Sequence, residues 1–244
     1  AIYFIVNYGR SAAPLFVLLF GISFWITSYG IALCWFGLPG RLFWTQMQYL
    51  GFGLTFMGLV TFGLSIAGYS RLLTKSGYAV LSVMPLLTFV LAWTNSLHHW
   101  VWTSILPFTL HGLSLLHVSY GPFMVFDTAY NYIVVGAVFV LLVRNFNGTS
   151  TDNKRQAGLF ITAISLTFIS NLATLIGLNP FPGLDLTPLG FMVSIFLILL
   201  AVSGLGGFHR FGIPRDRVVQ DMPDAFFVLD TLGRVIDINP AGLA

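Results

Sequence analysis

The chain has 244 residues, of which 57% are hydrophobic and only 8% are charged, and its mean hydropathy is +0.87. A soluble domain carries about 25% charged residues, so this chain has too little charge to cover a water-exposed surface. The hydrophobicity excludes a disordered chain, and a single cysteine, Cys34, excludes an internal disulfide framework. The net charge of +3 gives no indication of nucleic-acid binding. The composition is typical of a polytopic membrane protein.

Six segments are candidates to cross a membrane, which takes about 20 mostly apolar residues. In chain order they are Ala12–Phe36, Phe43–Tyr69, Tyr78–Trp93, Phe123–Val143, Ala157–Leu178 and Leu186–Gly207. Ala1–Val6 is also apolar but too short to cross, and we interpret it as the end of a truncated first helix. The predicted fold is an all-α polytopic membrane protein, a seven-helix bundle whose first helix is incomplete.

Lysine and arginine predict the orientation, since cytoplasmic loops carry an excess of both. One set of alternate loops and tails holds Arg10, Arg71, Lys75, Arg144, Lys154, Arg155, Arg210, Arg215 and Arg217. The opposite set holds only Arg41. We therefore expect a multi-pass protein of the inner or plasma membrane with a cytoplasmic C-terminus and an N-terminus outside. The predicted outer loops are Gly37–Leu42, Thr94–Pro122 and Asn179–Asp185.

The sequence becomes polar and charged after Gly207. Ala225–Asp230 is predicted to form a strand, and the alternating pattern of Arg234–Asn239 predicts a second strand. Pro240 suits the first position of a helix that would follow. About twenty residues are too few for a domain core, so we expect the chain to stop just inside a cytoplasmic domain.

Four blocks of sequence resemble the N-terminal seven-helix sensor region of prokaryotic histidine kinases. They are FWTQMQYLGFGL (Phe43–Leu54), TNSLHHWVWTSI (Thr94–Ile105), NPFPGLDLTPLGF (Asn179–Phe191) and PRDRVVQDMPDAFFVLDTLGRVIDINPAG (Pro214–Gly242). The last block resembles the opening of an α+β PAS domain. The resemblance divides the chain into a sensor region at 1–210, a connector at 211–221 and the start of a PAS domain at 222–244.

This resemblance implies a sensory function that detects an extracytoplasmic or membrane stimulus. It implies a homodimer, an unknown small-molecule ligand, and an ATP-dependent kinase output that transfers a phosphoryl group to a response regulator. The chain itself contains no catalytic residue or cofactor site that we can identify. The same sensor region also precedes cyclic-dinucleotide enzymes and transcription regulators, and these remain alternatives for the output.

Polar side chains gather toward the predicted outer half of the bundle, where they suggest a ligand site. The candidates are Gln46, Tyr49, Trp93, Asn95, His98, His99, Trp102, Asp127, Tyr130 and Asn131. The tryptophans either form the aromatic belt found at membrane interfaces or line a ligand cleft. His98 and His99 suit structural hydrogen bonds, ligand contact or pH sensing, or a metal site shared with His111 and His117.

Asp127 lies about one turn into its predicted span, with Tyr130 and Asn131 on the same helix face. A carboxylate in hydrocarbon is costly, so Asp127 should face the bundle interior or an aqueous cavity. It either anchors a polar ligand group or complements the helix dipole. Asn171 lies in the middle of a predicted span, where its side chain needs a partner, so we predict an interhelical hydrogen bond there. Asp185 or Thr187 is predicted to cap the helix that follows.

Three other classes of membrane protein fit the sequence less well. A retinal receptor needs a lysine in a late span, but Lys75 and Lys154 lie in predicted cytoplasmic loops. A small-molecule transporter commonly shows internal repeats, and none is visible between the halves. A haem protein would need histidines facing each other within spans, whereas all five histidines lie in loops or at a span end.

Overall fold

The structure is a computed structural model that describes residues 13–110, 113–146, 151–176, 178, 185–203, 224, 227–229, 235–238 and 240–243. The predicted truncated helix at Ala1–Val6 and the predicted connector at 211–221 lie outside these residues. The helices and strands are α1 (Ala13–Cys34), α2 (Leu38–Ile66), α3 (Lys75–Trp93), α4 (Asn95–His98), β1 (Trp102–Leu110), β2 (Leu113–Tyr120), α5 (Pro122–Phe146), α6 (Thr151–Leu175), α7 (Thr187–Ser203), β3 (Phe227–Leu229), β4 (Val235–Ile238) and α8 (Pro240–Leu243).

The long helices confirm the predicted membrane architecture. Among the described residues, five helices are long and apolar enough to cross a membrane, namely α1, α2, α3, α5 and α6. Helix α7 is apolar but shorter, over Thr187–Ala201. Each of the six predicted spans therefore corresponds to one long helix. The fold is an essentially all-α polytopic membrane region with small additions of β-structure.

Five of these helices form a ring. Helix α2 packs against α1 and α5, α5 packs against α6, α6 against α7, and α7 against α1. Helix α3 packs on the outside of α2. The apolar core inside the ring includes Leu18, Ile22, Phe62, Phe160 and Ile198, which are all at most 3% exposed. The outward faces of the helices are apolar as well, as expected for helices in lipid. Val80 on α3 and Ile133 on α5, for example, are 68% and 71% exposed.

Glycines bring α1 and α2 into close backbone contact. A Cβ atom added at Gly51 would lie 2.7 Å from the backbone nitrogen of Trp25, and one at Gly58 would overlap the backbone of Leu18. One at Gly21 would lie 2.5 Å from the backbone nitrogen of Thr55. Small residues permit such close approach between membrane helices, where dispersion contacts replace the hydrophobic effect as the driving force. These positions make α1 and α2 the most intimately packed helix pair of the bundle.

The segment predicted as the outer loop Thr94–Pro122 contains a β-hairpin. Strands β1 and β2 pair antiparallel from Trp102 opposite Tyr120 to Leu110 opposite Leu113. We refer to the end of the bundle that carries this hairpin as the hairpin end. The prediction of an outer loop at Gly37–Leu42 is wrong, because α2 already begins at Leu38. Gly37 precedes the helix with a φ of 92°, and Pro39 lies in the first helical turn.

The predicted strands and helix of the C-terminal segment are confirmed. Strands β3 and β4 form an antiparallel pair in which Phe227 lies opposite Ile238 and Val228 opposite Asp237. Helix α8 begins at Pro240. That this hairpin begins a PAS domain stays a prediction.

Candidate functional site: a polar cavity at the hairpin end

A large cavity lies inside the ring of α1, α2, α5, α6 and α7, beneath the hairpin. Its volume is about 1140 Å³, whereas ligand pockets usually measure about 300–1,000 Å³. Most of the polar side chains that line it lie toward the hairpin end of each helix, while Thr55, Thr167 and Ser194 lie deeper. Those toward the hairpin end include Tyr29, Gln48, Tyr49, Asp127, Asn131, Tyr132, Asn171 and Asp185.

Asp127 is the most buried charged group of the described residues, with 2% of its surface exposed. Its Oδ1 accepts a 2.7 Å hydrogen bond from the Thr88 hydroxyl on α3, and its Oδ2 accepts a 3.0 Å bond from Asn131 Nδ2. The Thr88 hydroxyl also lies 2.9 Å from the Met84 carbonyl oxygen, so two acceptors share its one proton. The prediction that Asp127 faces the interior is confirmed. Two hydrogen bonds offset part of the cost of burying its carboxylate.

Tyr49 and Trp102 attach the hairpin to α2. The indole Nε1 of Trp102 donates a 2.9 Å hydrogen bond to the Tyr49 hydroxyl, and the two ring centroids lie 5.6 Å apart. Trp102 is 4% exposed and lines the cavity, so of its two predicted roles the structure favours the lining of a cleft over the interfacial belt. Gln46, one turn earlier, faces α3 instead, where its Nε2 donates to the Ala92 carbonyl oxygen at 3.2 Å.

Asn95 shapes the start of the hairpin. Its Oδ1 accepts hydrogen bonds from the backbone nitrogens of Val101 and Trp102 at 3.0 and 3.1 Å, and its Nδ2 donates to the Trp102 carbonyl oxygen at 3.0 Å. The side chain is 8% exposed. Asn95 therefore holds the turn that directs Trp102 toward Tyr49, and it does not line the cavity.

The two adjacent histidines lie outside the cavity. His98 Nδ1 accepts a 3.0 Å hydrogen bond from the backbone nitrogen of Trp100, and its Nε2 lies 3.2 Å from the Thr94 hydroxyl oxygen. Both nitrogens of His98 thus have partners in the local turn. His99 has a left-handed backbone with a φ of 56°. Within the described ranges, which omit His111, no three metal-ligating side chains come together.

A second polar network connects α1, α5, α6 and the start of α7. The Tyr132 hydroxyl donates a 2.6 Å hydrogen bond to Asn171 Oδ1, and Asn171 Nδ2 donates a 3.1 Å bond to the Thr187 hydroxyl. The predicted interhelical hydrogen bond of Asn171 is therefore confirmed. Asp185 caps α7, because its Oδ1 accepts from the Thr187 nitrogen at 2.9 Å. The Asp185 nitrogen donates to the Tyr29 hydroxyl at 2.8 Å.

The structure thus separates the ten predicted site residues into two groups. Those that line the cavity are Tyr49, Trp102, Asp127 and Asn131. Those that lie elsewhere are Gln46, Trp93, Asn95, His98, His99 and Tyr130. Trp93 is 38% exposed and packs on Phe43, as a belt residue does, while Tyr130 packs on Phe56. Whether any of the ten contacts a ligand stays a prediction.

Sequence reasoning missed several of the cavity's polar residues. Tyr29, Thr128 and Tyr132 were not considered, while Asn171 and Asp185 were considered only as structural residues. A signal was present in the sequence, because Tyr132 and Asn171 each lie in an apolar span and need a hydrogen-bonding partner there. What the sequence does not give is the pairing of helices that brings them to one cavity.

The family comparison agrees with this membrane architecture. Residues 1–208 match the family model of the N-terminal 7TM region of histidine kinases. The chain belongs to this family. No curated protein and no solved structure matches the chain. As a histidine-kinase 7TM region, the chain is a multi-pass membrane sensory region, and the match ends before β3.

Proposed function

We propose that this histidine-kinase 7TM region detects an extracytoplasmic or membrane-borne small molecule in the cavity at the hairpin end. The observation that carries the proposal is the cavity itself. It is larger than the usual ligand pocket, five helices and the hairpin line it, and most of its polar groups lie at one end. A residue network that only stabilised the bundle would not need such a space, because protein interiors are normally close-packed.

The hairpin end is proposed to face outward. Arg71, Lys75 and Arg144 lie at the opposite end of the bundle, whereas Arg41 is the basic residue at the hairpin end among the described residues. Cytoplasmic loops carry the excess of lysine and arginine. In this orientation the polar end of the cavity lies in the outer half of the membrane, and the C-terminus of α7 points to the cytoplasm.

Helix α7 is the proposed relay. It carries the cavity-lining residues Thr187, Phe191, Ser194 and Ile198 along one face. Asp185 and Thr187 at its start belong to the network of Tyr29 and Asn171. If this network has two arrangements, each with its own position of α7, a ligand that binds one of them more tightly shifts the equilibrium toward that position. The size of the shift is set by the difference in the ligand's affinity for the two arrangements.

The proposed output is a cytoplasmic PAS domain beginning at residue 222, followed by a kinase. The hairpin β3–β4 and helix α8 are compatible with the start of such a domain. In this proposal the kinase autophosphorylates a histidine with ATP, acts as a homodimer, and transfers the phosphoryl group to a response regulator. A cyclic-dinucleotide enzyme or a transcription regulator behind the same sensor would leave the role of the cavity unchanged.

Blocking the cavity tests this proposal. Thr128 lies on α5, lines the cavity and is half-buried, so Thr128→Trp places a bulky side chain in the space. Ile133 lies on the same helix, is 71% exposed and faces outward. Ile133→Trp is therefore a matched control. Output of the full-length protein is measured in its native cells over the range of conditions that changes it.

We expect Thr128→Trp to fix the output at one level, high or low, and Ile133→Trp to leave the response within about twofold of wild type. Membrane abundance of both variants is measured by immunoblot to exclude loss of folded protein. A full response from correctly inserted Thr128→Trp protein would overturn the proposal.

A further inference from the structure

The chemistry of the cavity wall indicates which class of molecule it takes, provided that the proposed function holds. Polar groups lie at the hairpin end, and the other end is apolar. Along α1 the lining continues from Tyr29 inward to Leu18, with Ala32 and Leu33 beyond Tyr29 at the hairpin end, and along α7 it runs from Thr187 to Ile198. At 1.5 Å per residue, both runs are about 16 Å long. The cavity is therefore a slot with a polar end beneath the hairpin, which we call the mouth, and a long, mainly apolar interior.

The hydroxyl groups deeper in the slot do not change this polarity gradient. Thr55 Oγ1 donates to the Gly51 carbonyl oxygen at 2.8 Å, and Ser194 Oγ lies 2.8 Å from the Gly190 carbonyl oxygen of its own helix. These hydroxyls are used within the bundle and offer little to a ligand. Thr167 Oγ1, which also lines this part, lies 2.8 Å from Ser194 Oγ, and the remaining interior walls are aliphatic and aromatic.

The mouth of the slot offers hydrogen-bond donors. The Tyr29 hydroxyl oxygen accepts from the Asp185 nitrogen, and the Tyr49 hydroxyl oxygen accepts from Trp102 Nε1. Neither phenol has a hydrogen-bond acceptor for its own proton among the described residues. A phenol is both a donor and an acceptor, so within the described part of the chain both O–H groups can donate to an acceptor oxygen in the cavity.

The charged groups at the mouth disfavour an ionic head. Three charged side chains line this end, namely Arg41, Asp127 and Asp185. The two carboxylates would repel an anion, and the Arg41 guanidinium is already engaged, because its Nε donates a 2.8 Å hydrogen bond to the Trp35 carbonyl oxygen. Both carboxylates also accept hydrogen bonds from the protein already, Asp127 from Thr88 and Asn131, and Asp185 from the Thr187 nitrogen. A cation would have to compete with these bonds. An uncharged head with acceptor oxygens avoids both costs.

We infer that the ligand is an uncharged amphipathic molecule with a carbonyl-bearing head at Tyr29 and Tyr49 and an apolar tail along α1 and α7. Esters, lactones and quinones with a lipid tail share this chemistry. A molecule of this kind partitions into the bilayer, so it reaches the site from the membrane.

The inference is tested with three photoreactive probes that share one dodecyl tail with a diazirine at its end. Their heads are a methyl ester, a carboxylate and a trimethylammonium group. Full-length protein in nanodiscs is irradiated with each probe at equal bilayer concentration. Mass spectrometry gives the yield and the site of labelling. The variants are Tyr29→Phe and Tyr49→Phe, and the control is Tyr69→Phe, which is 44% exposed and does not line the cavity.

We expect the methyl ester to label the deep wall near Leu18 or Ile198 at least fivefold more than either charged probe. Each of the two cavity variants should lower the yield of the methyl ester relative to the two charged probes about threefold to tenfold, the range of one net hydrogen bond, and Tyr69→Phe should not; a loosened hairpin would instead lower the yields of all three probes alike. Equal labelling by all three probes, or labelling confined to outward residues such as Ile133, would overturn the inference. The cavity-blocking Thr128→Trp variant tests the proposed function separately from the ligand class. If this variant abolishes the response but all three probes label the wild-type protein equally, the cavity still controls the output and only the inferred ligand class is wrong.

Discussion

Thr88 and Asp127 join two helices through a 2.7 Å hydrogen bond between the Thr88 hydroxyl and Asp127 Oδ1. Helices α3 and α5 each pack against α2 rather than extensively against one another. Both residues are buried, since Thr88 is 0% exposed and Asp127 is 2% exposed. This bond therefore couples α3, which lies outside the ring, to the wall of the cavity.

Removing the Thr88 hydroxyl should destabilise the bundle. Thr88→Val keeps the shape of the side chain but leaves the buried Asp127 carboxylate one hydrogen bond short. We expect the free energy of unfolding to fall by about 1–3 kcal/mol, measured by denaturation in mixed micelles. Thr162→Val is the control, since the exposed Thr162 hydroxyl bonds only to its own helix at Gly158. Equal stability of Thr88→Val and wild type would show that the bond contributes nothing.

The β1–β2 hairpin should become more mobile when the Trp102 indole N–H loses its hydrogen-bond acceptor. Tyr49→Phe removes the hydroxyl that receives the buried indole N–H, and an unsatisfied buried donor costs about 1–3 kcal/mol. We expect limited proteolysis between Trp102 and Tyr120 to become about fivefold faster or more, while cleavage elsewhere is unchanged. Tyr69→Phe, at an exposed position, should leave the rate unchanged. An unaltered rate in Tyr49→Phe would contradict this account of how the hairpin is held.

The α1–α2 contact should not tolerate a larger residue. A Cβ at Gly58 would overlap the Leu18 backbone, whereas a Cβ at Gly136 on α5 meets nothing within 4 Å. Overpacking of this kind costs about 1–3 kcal/mol. Gly58→Ala should therefore lower stability in micelles, and Gly136→Ala should preserve it or raise it, since alanine favours helix. The same effect from both substitutions would argue against close packing of α1 and α2.

Cysteine labelling should reveal which end of the bundle faces outward. Cys34 is exposed at the hairpin end. In a full-length background without other reactive cysteines, a membrane-impermeant maleimide should label Cys34 in intact cells. In a Cys34→Ser background, Ser70→Cys, at the opposite end, should react only after the cells are opened. The reverse pattern would contradict the orientation that the basic residues predict.

Hydropathy was sufficient to predict the helices, because the cost of placing charge in lipid restricts where helices end. It located all six long helices to within a few residues at most ends. Helix α2 extends further than predicted because Arg41 was taken as loop, although a basic side chain fits the first turns of a helix at the interface.

The hairpin was not predicted from the sequence. Pro107 lies within β1, and proline argues against a strand unless the strand is at an edge. In a two-stranded sheet every strand is an edge, so this objection does not apply. The cavity also lay beyond prediction, because it depends on which helices are neighbours. Asp127 and Asn131 are four residues apart, but Tyr29 and Asp185 come together from distant parts of the chain.

A covalent occupant of the cavity provides the most direct test of the central claim that this space controls the output. Full-length protein carrying Thr128→Cys, without other reactive cysteines, is treated in nanodiscs with a small methanethiosulfonate reagent, and the rate of its output activity, autophosphorylation if the proposed kinase follows, is measured before and after. We predict that labelling changes the rate severalfold, while equal labelling at Ile133→Cys does not. Complete labelling of Thr128→Cys with an unchanged rate would contradict the account.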